Sequence, residues 1–473
     1  MKVHRRSAAA LVLSSGVAFS GCSSPLTGQH IQDRLSRQGV PRPEAARAPA
    51  DAARSPDPDL PPTGITLADL LHRAERLNPD LRASRSAVGA AAGRTWQASL
   101  YPNPTASITS GEIGLEGGSA NTIVGITQPI VVGDRLRAAV AAAEADEAAR
   151  LAAVEQVRRE VFGRVAEAHA RILELHAQLQ LIDELIQLAE ATLAIAETRF
   201  QARAVAEPDV IRPRVEVHHL RADRHRIARE LASAEKQLGL LLDAGPIAAP
   251  RLAATIPLTP DPMDEAALVA LIDAAHPALI VADRRIAAAE ADLRRIQAER
   301  VPNLSLTAGI GYSAEGDQGI AELGVAAELP VWNRRQGDLL SARFELADRR
   351  QQREAMRMRL LSDLTGAVGS YHAARDQLAV FGDEVVPDAQ RAFDQIDESY
   401  RAGRASFLDL LDAQRTLTQA RRTQIELAGH AAVARARIAA ITGLDLDSSP
   451  GDRPGAALSS NPQTPREGAK EHP

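Results

Sequence analysis

Two features of the sequence combine residue type and spacing in a way that could do chemistry. Cys22 is the sole cysteine, so the chain forms no internal disulfide and no cysteine-based zinc site, and its one thiol is a candidate for modification. Asp409 and Asp412 lie three residues apart. On a helix this spacing puts both carboxylates on one face, where they would attract cations.

Histidines are the third candidate. His218 and His219 lie near His225, and His169 is followed by His176, but none stands in a metal-binding motif. We therefore interpret them as residues on solvated helix faces and predict no metal site. The sequence also has no nucleophile elbow, phosphate loop or paired catalytic acids, so we expect neither an enzyme nor a cofactor.

Composition narrows the class further. The 473 residues include 55 Lys and Arg against 61 Asp and Glu, for a formal net charge of −6, which argues against a nucleic-acid binder. Hydrophobic residues make up 45% of the chain but aromatic residues only 3%. Such apolar content, mostly Ala, Leu, Val and Ile, favours long helices.

The N-terminal residues indicate export. Three basic residues precede an uncharged stretch that is too short to span a bilayer, so we predict a signal peptide over 1–21. The stretch ends in Ser20 and Gly21 before Cys22, which resembles a bacterial lipoprotein signal, and we predict lipidation of Cys22 over a buried or free thiol. Ser23 is not the Asp associated with inner-membrane retention, which favours the outer membrane.

Proline-rich segments flank the predicted domains. We interpret 22–64 as a tether, 248–262 as a linker and 446–473 as a disordered tail. No stretch after Cys22 approaches 18 uncharged apolar residues, so an ordinary transmembrane helix is not expected. Any membrane span would then have to be β.

The middle of the chain repeats itself once, with an offset of about 200 residues. Pro102 and Asn103 recur as Pro302 and Asn303, for example, and the register holds over many positions. We therefore predict two structural repeats, over 65–247 and 263–445. Each repeat reads as an amphipathic helix, a β pair, a very long helix and a second long helix that returns.

Apolar residues spaced alternately four and three apart predict the long helices. We place them at 135–200 and 207–242 in the first repeat and at 335–400 and 407–442 in the second. At 1.5 Å rise per residue, the first would be roughly 100 Å long.

Alternation of apolar with small or polar residues predicts the strands, clearly in the second pair and more weakly in the first. They lie near 105–113 and 122–128, and at 304–312 and 321–329.

One face of the second pair is apolar and the other is small and polar. Leu306 and Val325 would face lipid, whereas Glu322 and Glu328 suit a wet barrel lumen. Such a hairpin taken alone also fits the edge of a soluble sheet. Four strands cannot close a barrel, so a membrane-spanning protein must oligomerise: a dimer fills its eight-stranded interior with side chains, and a trimer of twelve strands leaves an opening.

Three motifs carry a resemblance to a known family. They are LPVWNRRQG at 329–337, YRAGRASFLDLLDAQR at 400–415 and TQPI at 127–130. The sequence resembles the outer-membrane efflux proteins of the TolC type, most closely their heavy-metal cation branch, the CzcC-like proteins. The corresponding first-repeat stretch, at 200–209, lacks the glycine of the second.

The resemblance implies a mainly α fold with a small β part. Each chain would contribute four transmembrane strands to a trimeric 12-stranded barrel, continued by a periplasmic α-barrel. It further implies a homotrimer in outer-membrane lipid, with a periplasmic adaptor and an inner-membrane efflux transporter of the RND type as partners. The substrate would be heavy-metal cations, or alternatively drugs or other small molecules.

The resemblance also implies site residues at the periplasmic end of the helices. The gate would be formed by Tyr400, Asp409 and Asp412. The tips that contact the adaptor or transporter would comprise Ala202, Arg203, Gly403, Arg404 and Ser406.

Two alternatives stay open. Ser406 stands three residues before Asp409, which is the spacing of a capping box, so the aspartates could simply be helix caps. A periplasmic adaptor, or a lipid-anchored coiled-coil scaffold, would also be exported with long helices. However, an adaptor should carry one hairpin between β-domains, and a scaffold leaves the alternating strands unexplained.

Overall fold

The computed structural model describes residues 28–40, 60–111, 121–253, 255, 258, 263–313 and 317–443. The predicted signal peptide, Cys22 and the predicted tail lie outside the described residues.

Helices dominate the described chain, and four strands interrupt them in pairs. In chain order the elements are α1 (Gly28–Arg37), α2 (Leu67–Leu77), α3 (Pro79–Ser99), β1 (Thr105–Gly111), β2 (Asn121–Ile130), α4 (Arg135–Gln201), α5 (Pro208–Leu241), α6 (Glu265–Ala275), α7 (Pro277–Ala298), β3 (Leu304–Ser313), β4 (Gln318–Ala327), α8 (Gln336–Val380), α9 (Val386–Arg401) and α10 (Phe407–Thr442). The predicted fold class, mainly α with a small β part, is confirmed.

The helices form a long bundle around α4. With 67 residues, α4 is about 100 Å long at 1.5 Å per residue, and it packs against α3, α5, α7 and α10. Apolar side chains that the four-three spacing places on one stripe, such as Val165, Ile172 and Ile182, are buried there. The bounds of α4, α5 and α10 agree with the predicted helices to within one residue.

The long helix predicted at 335–400 is interrupted. The helix is α-helical to Val380, takes one π-helical turn over Phe381–Val385 and resumes as α9. A π turn inserts one residue into the helical repeat. The apolar spacing slips by one residue between Val385 and Val386. The π turn absorbs this slip, and one predicted element becomes two.

The four strands form one antiparallel sheet in the order β1-β2-β3-β4. Register fixes the faces, because directly paired residues point to the same side. Leu306 pairs with Gln128 on one side and Val325 on the other, and Ala308 pairs with Leu323. The predicted strand at 321–329 is shifted toward the C-terminus, since β4 runs from Gln318 to Ala327.

The predicted tether is not irregular throughout. α1 lies within it and packs against α3. Ile31 and Val40 retain only 6% and 7% of their exposure. The proline count of the whole segment concealed this short amphipathic stretch, which is a correction to the prediction of a tether over 22–64.

The segment Glu265–Ala298 is apolar and long enough, by length and composition, to cross a membrane, which the search for uncharged stretches did not anticipate. It is divided into α6 and α7 at Pro277 and packs along α4, α8 and α10. These contacts are those of a helix within the bundle.

In each repeat, one polar side chain caps the start of a helix and also bonds the end of another helix of the same repeat. Asn78 Oδ1 accepts a hydrogen bond from the Asp80 amide (2.9 Å) at the start of α3, while Asn78 Nδ2 donates to the Leu241 carbonyl (2.9 Å) at the end of α5. His276 Nδ1 likewise accepts from the Ala278 amide (3.1 Å) at the start of α7.

The His276 ring also hydrogen-bonds the backbone of Ile441 at the end of α10. Leu241 and Ile441 lie 200 residues apart, so one polar side chain ties together the same two helix ends in each repeat.

Candidate functional site at the helical tips

The chain reverses at two hairpin tips, between α4 and α5 and between α9 and α10, and both have the same backbone geometry. The Arg203 amide donates to the Phe200 carbonyl (2.9 Å), as the Gly403 amide does to that of Tyr400 (3.0 Å). The next amide in each tip bonds one residue further back. The predicted tip residues Ala202, Arg203, Gly403, Arg404 and Ser406 are all exposed.

The glycine missing from the first tip is replaced without a change of conformation. Arg203 has φ of 56° and Gly403 has φ of 74°, so both occupy the left-handed region. A side chain there costs roughly 1–2 kcal/mol. The first tip is therefore the more strained of the two.

Substitutions at these two positions should have opposite effects. Arg203→Gly should slow local hydrogen exchange at the first tip about fivefold, corresponding to about 1 kcal/mol, and Gly403→Ala should accelerate it at the second by a similar factor. Ala202→Gly is the matched control, because φ is −75° there and glycine relieves no strain. Slower exchange in Ala202→Gly would contradict the argument.

Asp409 caps the first turn of α10. Its Oδ2 accepts from the Ser406 amide (2.9 Å) and the Ser406 hydroxyl (2.7 Å), and the Asp409 amide donates to Ser406 Oγ (3.3 Å). The Ser406 hydroxyl and amide bonds lower the pKa of Asp409. In the first tip, Asp209 Oδ2 accepts only the corresponding backbone bond, from the Ala206 amide (3.2 Å).

Asp412 lies on the same face of α10, three residues further on, and is exposed. Its side chain makes no hydrogen bond or ion pair with any residue that the structure describes, and only its carbonyl is engaged, by the Thr416 hydroxyl (2.9 Å). Asp409 therefore has a structural role, whereas the carboxylate of Asp412 has none within the described chain.

Tyr400 is 3% exposed and links the two tips. The Arg199 guanidinium lies 4.2 Å from the Tyr400 ring centroid, and Arg199 Nη2 donates to the Tyr400 carbonyl (2.9 Å). Phe407 packs edge-on against the same ring at 6.1 Å. The sequence analysis did not single out Arg199. The one feature that could have pointed to it is its place directly before Phe200, the first-repeat equivalent of Tyr400.

These contacts use the ring and carbonyl of Tyr400, and no hydrogen bond of its hydroxyl is found among the described residues. Removing the partner should therefore matter more than removing the hydroxyl. Arg199→Ala should therefore increase the rate of hydrogen exchange at both tips, while Tyr400→Phe should stay near the wild type. A larger increase for Tyr400→Phe would contradict this arrangement.

Ion pairs tie α10 to the first repeat above the tips. Arg415 pairs with Glu216 (2.8 Å) and Arg422 with Asp223 (3.0 Å). Each pair joins residues 199 apart, close to the repeat offset, so equivalent faces of the two hairpins meet. Exposed pairs of this kind are individually weak but fix the lateral register.

At the other end of the bundle, the sheet presents two different faces. On one lie large apolar side chains that are widely exposed, such as Ile108 (76%), Leu323 (86%) and Val325 (72%). Glu322 lies on the opposite face, paired with Gly309. Glu328 is exposed one residue beyond β4, so it stands at the edge of the predicted lumen and not within the strand.

A sheet of four strands with an exposed apolar face, carried on long helices that end in paired tips, is the architecture of a channel-forming transport protein. The sequence profile of the family described as outer membrane efflux protein matches residues 70–243 and again 268–444. The chain belongs to this family, and the predicted TolC-type membership is confirmed.

Individual relatives agree. The chain is 26% identical over 394 residues to the cobalt-zinc-cadmium resistance protein CzcC of Cupriavidus metallidurans, covering 80% of this chain and 91% of that one. It is 31% identical over 163 residues to the pyoverdine export outer membrane protein OpmQ of Pseudomonas putida, covering 33% and 34%.

Solved structures show the same fold. The crystal structure of the outer membrane protein VceC from Vibrio cholerae superposes with a TM-score of 0.66 at 21% identity, over 80% of this chain and 96% of that one. With the family match, the protein is an outer-membrane efflux channel of the TolC type. TolC-type channels are trimeric and partner with efflux-pump components.

Proposed function

We propose that the protein is the passive exit duct of a tripartite pump, working as a homotrimer with a periplasmic adaptor and an inner-membrane transporter of the RND type. The observation that carries this is the sheet: its apolar face is exposed along all four strands, and its edge strands β1 and β4 have no neighbour among the described residues. Edges in lipid must be paired. Three copies supply twelve strands and close a wide barrel.

Heat-modifiable migration tests the assembly. Outer membranes extracted in mild detergent should give a band at three times the monomer mass, which collapses to the monomer on boiling. A monomeric or dimeric band would contradict the duct. An adaptor is disfavoured because the chain has two helical hairpins and two strand pairs, where an adaptor needs one hairpin.

We further propose heavy-metal cations as the substrate class. Two observations support this substrate class: the likeness to CzcC over most of both chains, and the exposed acidic pair Asp409 and Asp412 at the second tip. Deletion of the gene should lower tolerance to divalent transition metals, and the wild-type gene should restore it. Loss of siderophore or drug export with unchanged metal tolerance would instead favour a small-molecule duct, for which the partial likeness to OpmQ is the support.

Lipidation of Cys22 is a separate proposal. Cys22→Ala should lose radiolabelled palmitate while the trimer still reaches the outer membrane, because the apolar face of the sheet holds the barrel in the bilayer without the anchor. Labelling that survives the substitution would remove the lipoprotein claim.

A further inference from the structure

One face of α5 is not covered by any element that the structure describes. The helix packs on α4 with its other side, where Val217, Leu220 and Ile227 are buried. Residues three or four apart on the uncovered face are all exposed, and we call them the α5 stripe: Ile211, Val215, His218, Ala222, His225 and Arg229. This spacing is that of a coiled-coil seam, so the stripe fits a second helix.

A matching face runs down the end of α8, the π turn and the start of α9. Its exposed residues are again three or four apart, and we call them the α8–α9 stripe: Ala373, Asp376, Val380, Glu384, Pro387 and Arg391. Both helices pack on α10 with their other side. Each chain therefore has two uncovered helical seams, and a second copy can supply the helix that each one lacks.

The two stripes differ in charge. The ionisable residues of the α5 stripe are His218, His225 and Arg229, whereas the α8–α9 stripe has the acids Asp376 and Glu384. His225, Arg229 and Glu384 are exposed, and none makes an ion pair within the part of the chain that the structure describes. Oppositely charged stripes favour contact of one kind with the other, so α5 should meet α8 and α9 of another copy.

The heights of the two stripes can be compared by counting from the tips, which are level because Tyr400 links them. Glu384 lies 19 residues from the turn at Gly403, and His225 lies 22 residues from the turn at Arg203. At 1.5 Å per residue, their heights differ by about 4–5 Å. Rotation about an axis along the shaft leaves heights unchanged, so His225 of one copy comes level with Glu384 of the next.

We propose that α5 of one subunit packs against α8 and α9 of the next, and that protonated His225 forms an ion pair with Glu384 across this subunit seam. The proposal rests on the homotrimer proposed above and adds the charged groups that join its subunits. Because histidine titrates at about pH 6.5 and glutamic acid at about pH 4.3, the pair is complete near pH 5.5 and lost as the pH rises past 7. Mild acid therefore tightens the lower shaft.

The charged groups around His225 leave Glu384 as its partner. On α5, Arg221 and Arg229 lie one turn away on either side and oppose protonation. The acids of α4 that face α5 near this height are held by arginines of α5, in the pairs Asp183–Arg224 and Glu190–Arg221.

The acids of the next copy at this height are Asp383 and Glu384, both exposed on the π turn. His218 comes level with Asp388 of the next copy, and Arg391 already pairs with that aspartate. The acid response of the seam is therefore assigned to His225 and not to His218.

Photo-crosslinking tests the seam in the full-length protein in outer membranes. Val380 lies beside Glu384 on the stripe and is 48% exposed, so a benzophenone amino acid in its place should link α8 to α5 of another chain. Benzophenone photochemistry does not depend on a titrating thiol. The yield of linked chains at pH 5.5 should exceed that at pH 8.0 by about threefold, the effect of one exposed ion pair.

Variants of the probe-carrying chain identify the pair. His225→Gln and Glu384→Gln should each remove the difference between the two pH values, and His225→Lys should give the higher yield at both. His219→Gln is the matched control, because this histidine lies about 120° away from His225 around α5, and it should follow the unsubstituted chain.

The outcomes separate the seam from the duct. Links that map to an element other than α5, or a pH difference that survives His225→Gln, would overturn the seam. Heat-modifiable trimers without links to α5 would overturn the seam and leave the duct, whereas loss of the trimer would overturn both.

Discussion

Asp412→Ala should lower the cation-to-anion selectivity of the channel at 0.1 M salt by about sevenfold, if its ring holds a potential of about one kT at the constriction. Three-fold symmetry would turn one exposed carboxylate into a ring of three. Such a ring attracts cations and repels anions at once, so the permeability ratio changes with the square of the Boltzmann factor. The measurement is the reversal potential across a salt gradient in planar bilayers.

Salt distinguishes this effect from a change in pore width. The Debye length falls from about 10 Å at 0.1 M to about 3 Å at 1 M, so the difference between Asp412→Ala and the wild type should shrink at high salt. Divalent block should weaken in the same variant. Glu207→Ala, which removes a carboxylate at the first tip, is the matched control and should keep wild-type selectivity.

Of the two predicted gate aspartates, Asp412 gives the clearer test when it is substituted. Asp409 caps α10 through Ser406, so Asp409→Ala removes a charge and loosens a helix start together. Ser406→Ala separates the two effects, because it keeps the charge and loses the hydroxyl bond. If Asp412→Ala has wild-type selectivity and block, the acidic pair does not line the constriction.

Sequence periodicity was sufficient for the long elements. Helix α4 buries one apolar stripe from Val161 to Ala196, so the four-three spacing persists over many turns and chance matches are excluded. The alternation in β3 and β4 was equally clear, because one face carries large exposed apolar side chains and the other carries mostly small or polar ones. At Gly311 on this second face, an added Cβ would lie 2.4 Å from the Thr122 carbonyl.

Contacts between distant parts of the chain could not be predicted. Arg199 reaches Tyr400 only because the two tips lie side by side, and no local pattern marks an arginine for that role. Helix α1 is another case, since its ten residues are too short for a decisive periodicity. Arg203 could not be predicted for a different reason. Its neighbours in the turn hold it in the left-handed conformation, which an arginine disfavours.

His276 should make the channel acid-sensitive, and the first repeat supplies the residue that removes the effect. Burial and the nearby charge of Arg159 lower the pKa of His276 to about 4, against the opposing effect of its bond to the Ile441 backbone. The ring is 8% exposed. Its Nδ1 must stay unprotonated to accept from the Ala278 amide, so the protonated ring cannot keep this cap.

The sign follows from the two states of the chain. An unfolded histidine titrates near 6.5 and the folded one near 4, so the unfolded state binds the proton first. Stability is complete above pH 6.5, declines as the pH falls and levels off below about 4. The full loss is about 3 kcal/mol per chain, and at pH 4.5 most of it should be present.

His276→Asn places the residue of the first repeat in the second, since Asn78 caps α3 and reaches Leu241 with an amide that does not titrate. Between pH 7.5 and 4.5, the protection factors of the amides in the first turn of α7, each taken relative to the intrinsic exchange rate at the same pH, should fall about a hundredfold in the wild type and far less in His276→Asn. His430→Asn, at an exposed position on α10, is the control and should follow the wild type. Equal acid sensitivity in His276→Asn and the wild type would show that other groups unfold this end of the bundle. Such a result would leave the matching caps of Asn78 and His276 as a feature of the fold without a role in its pH dependence.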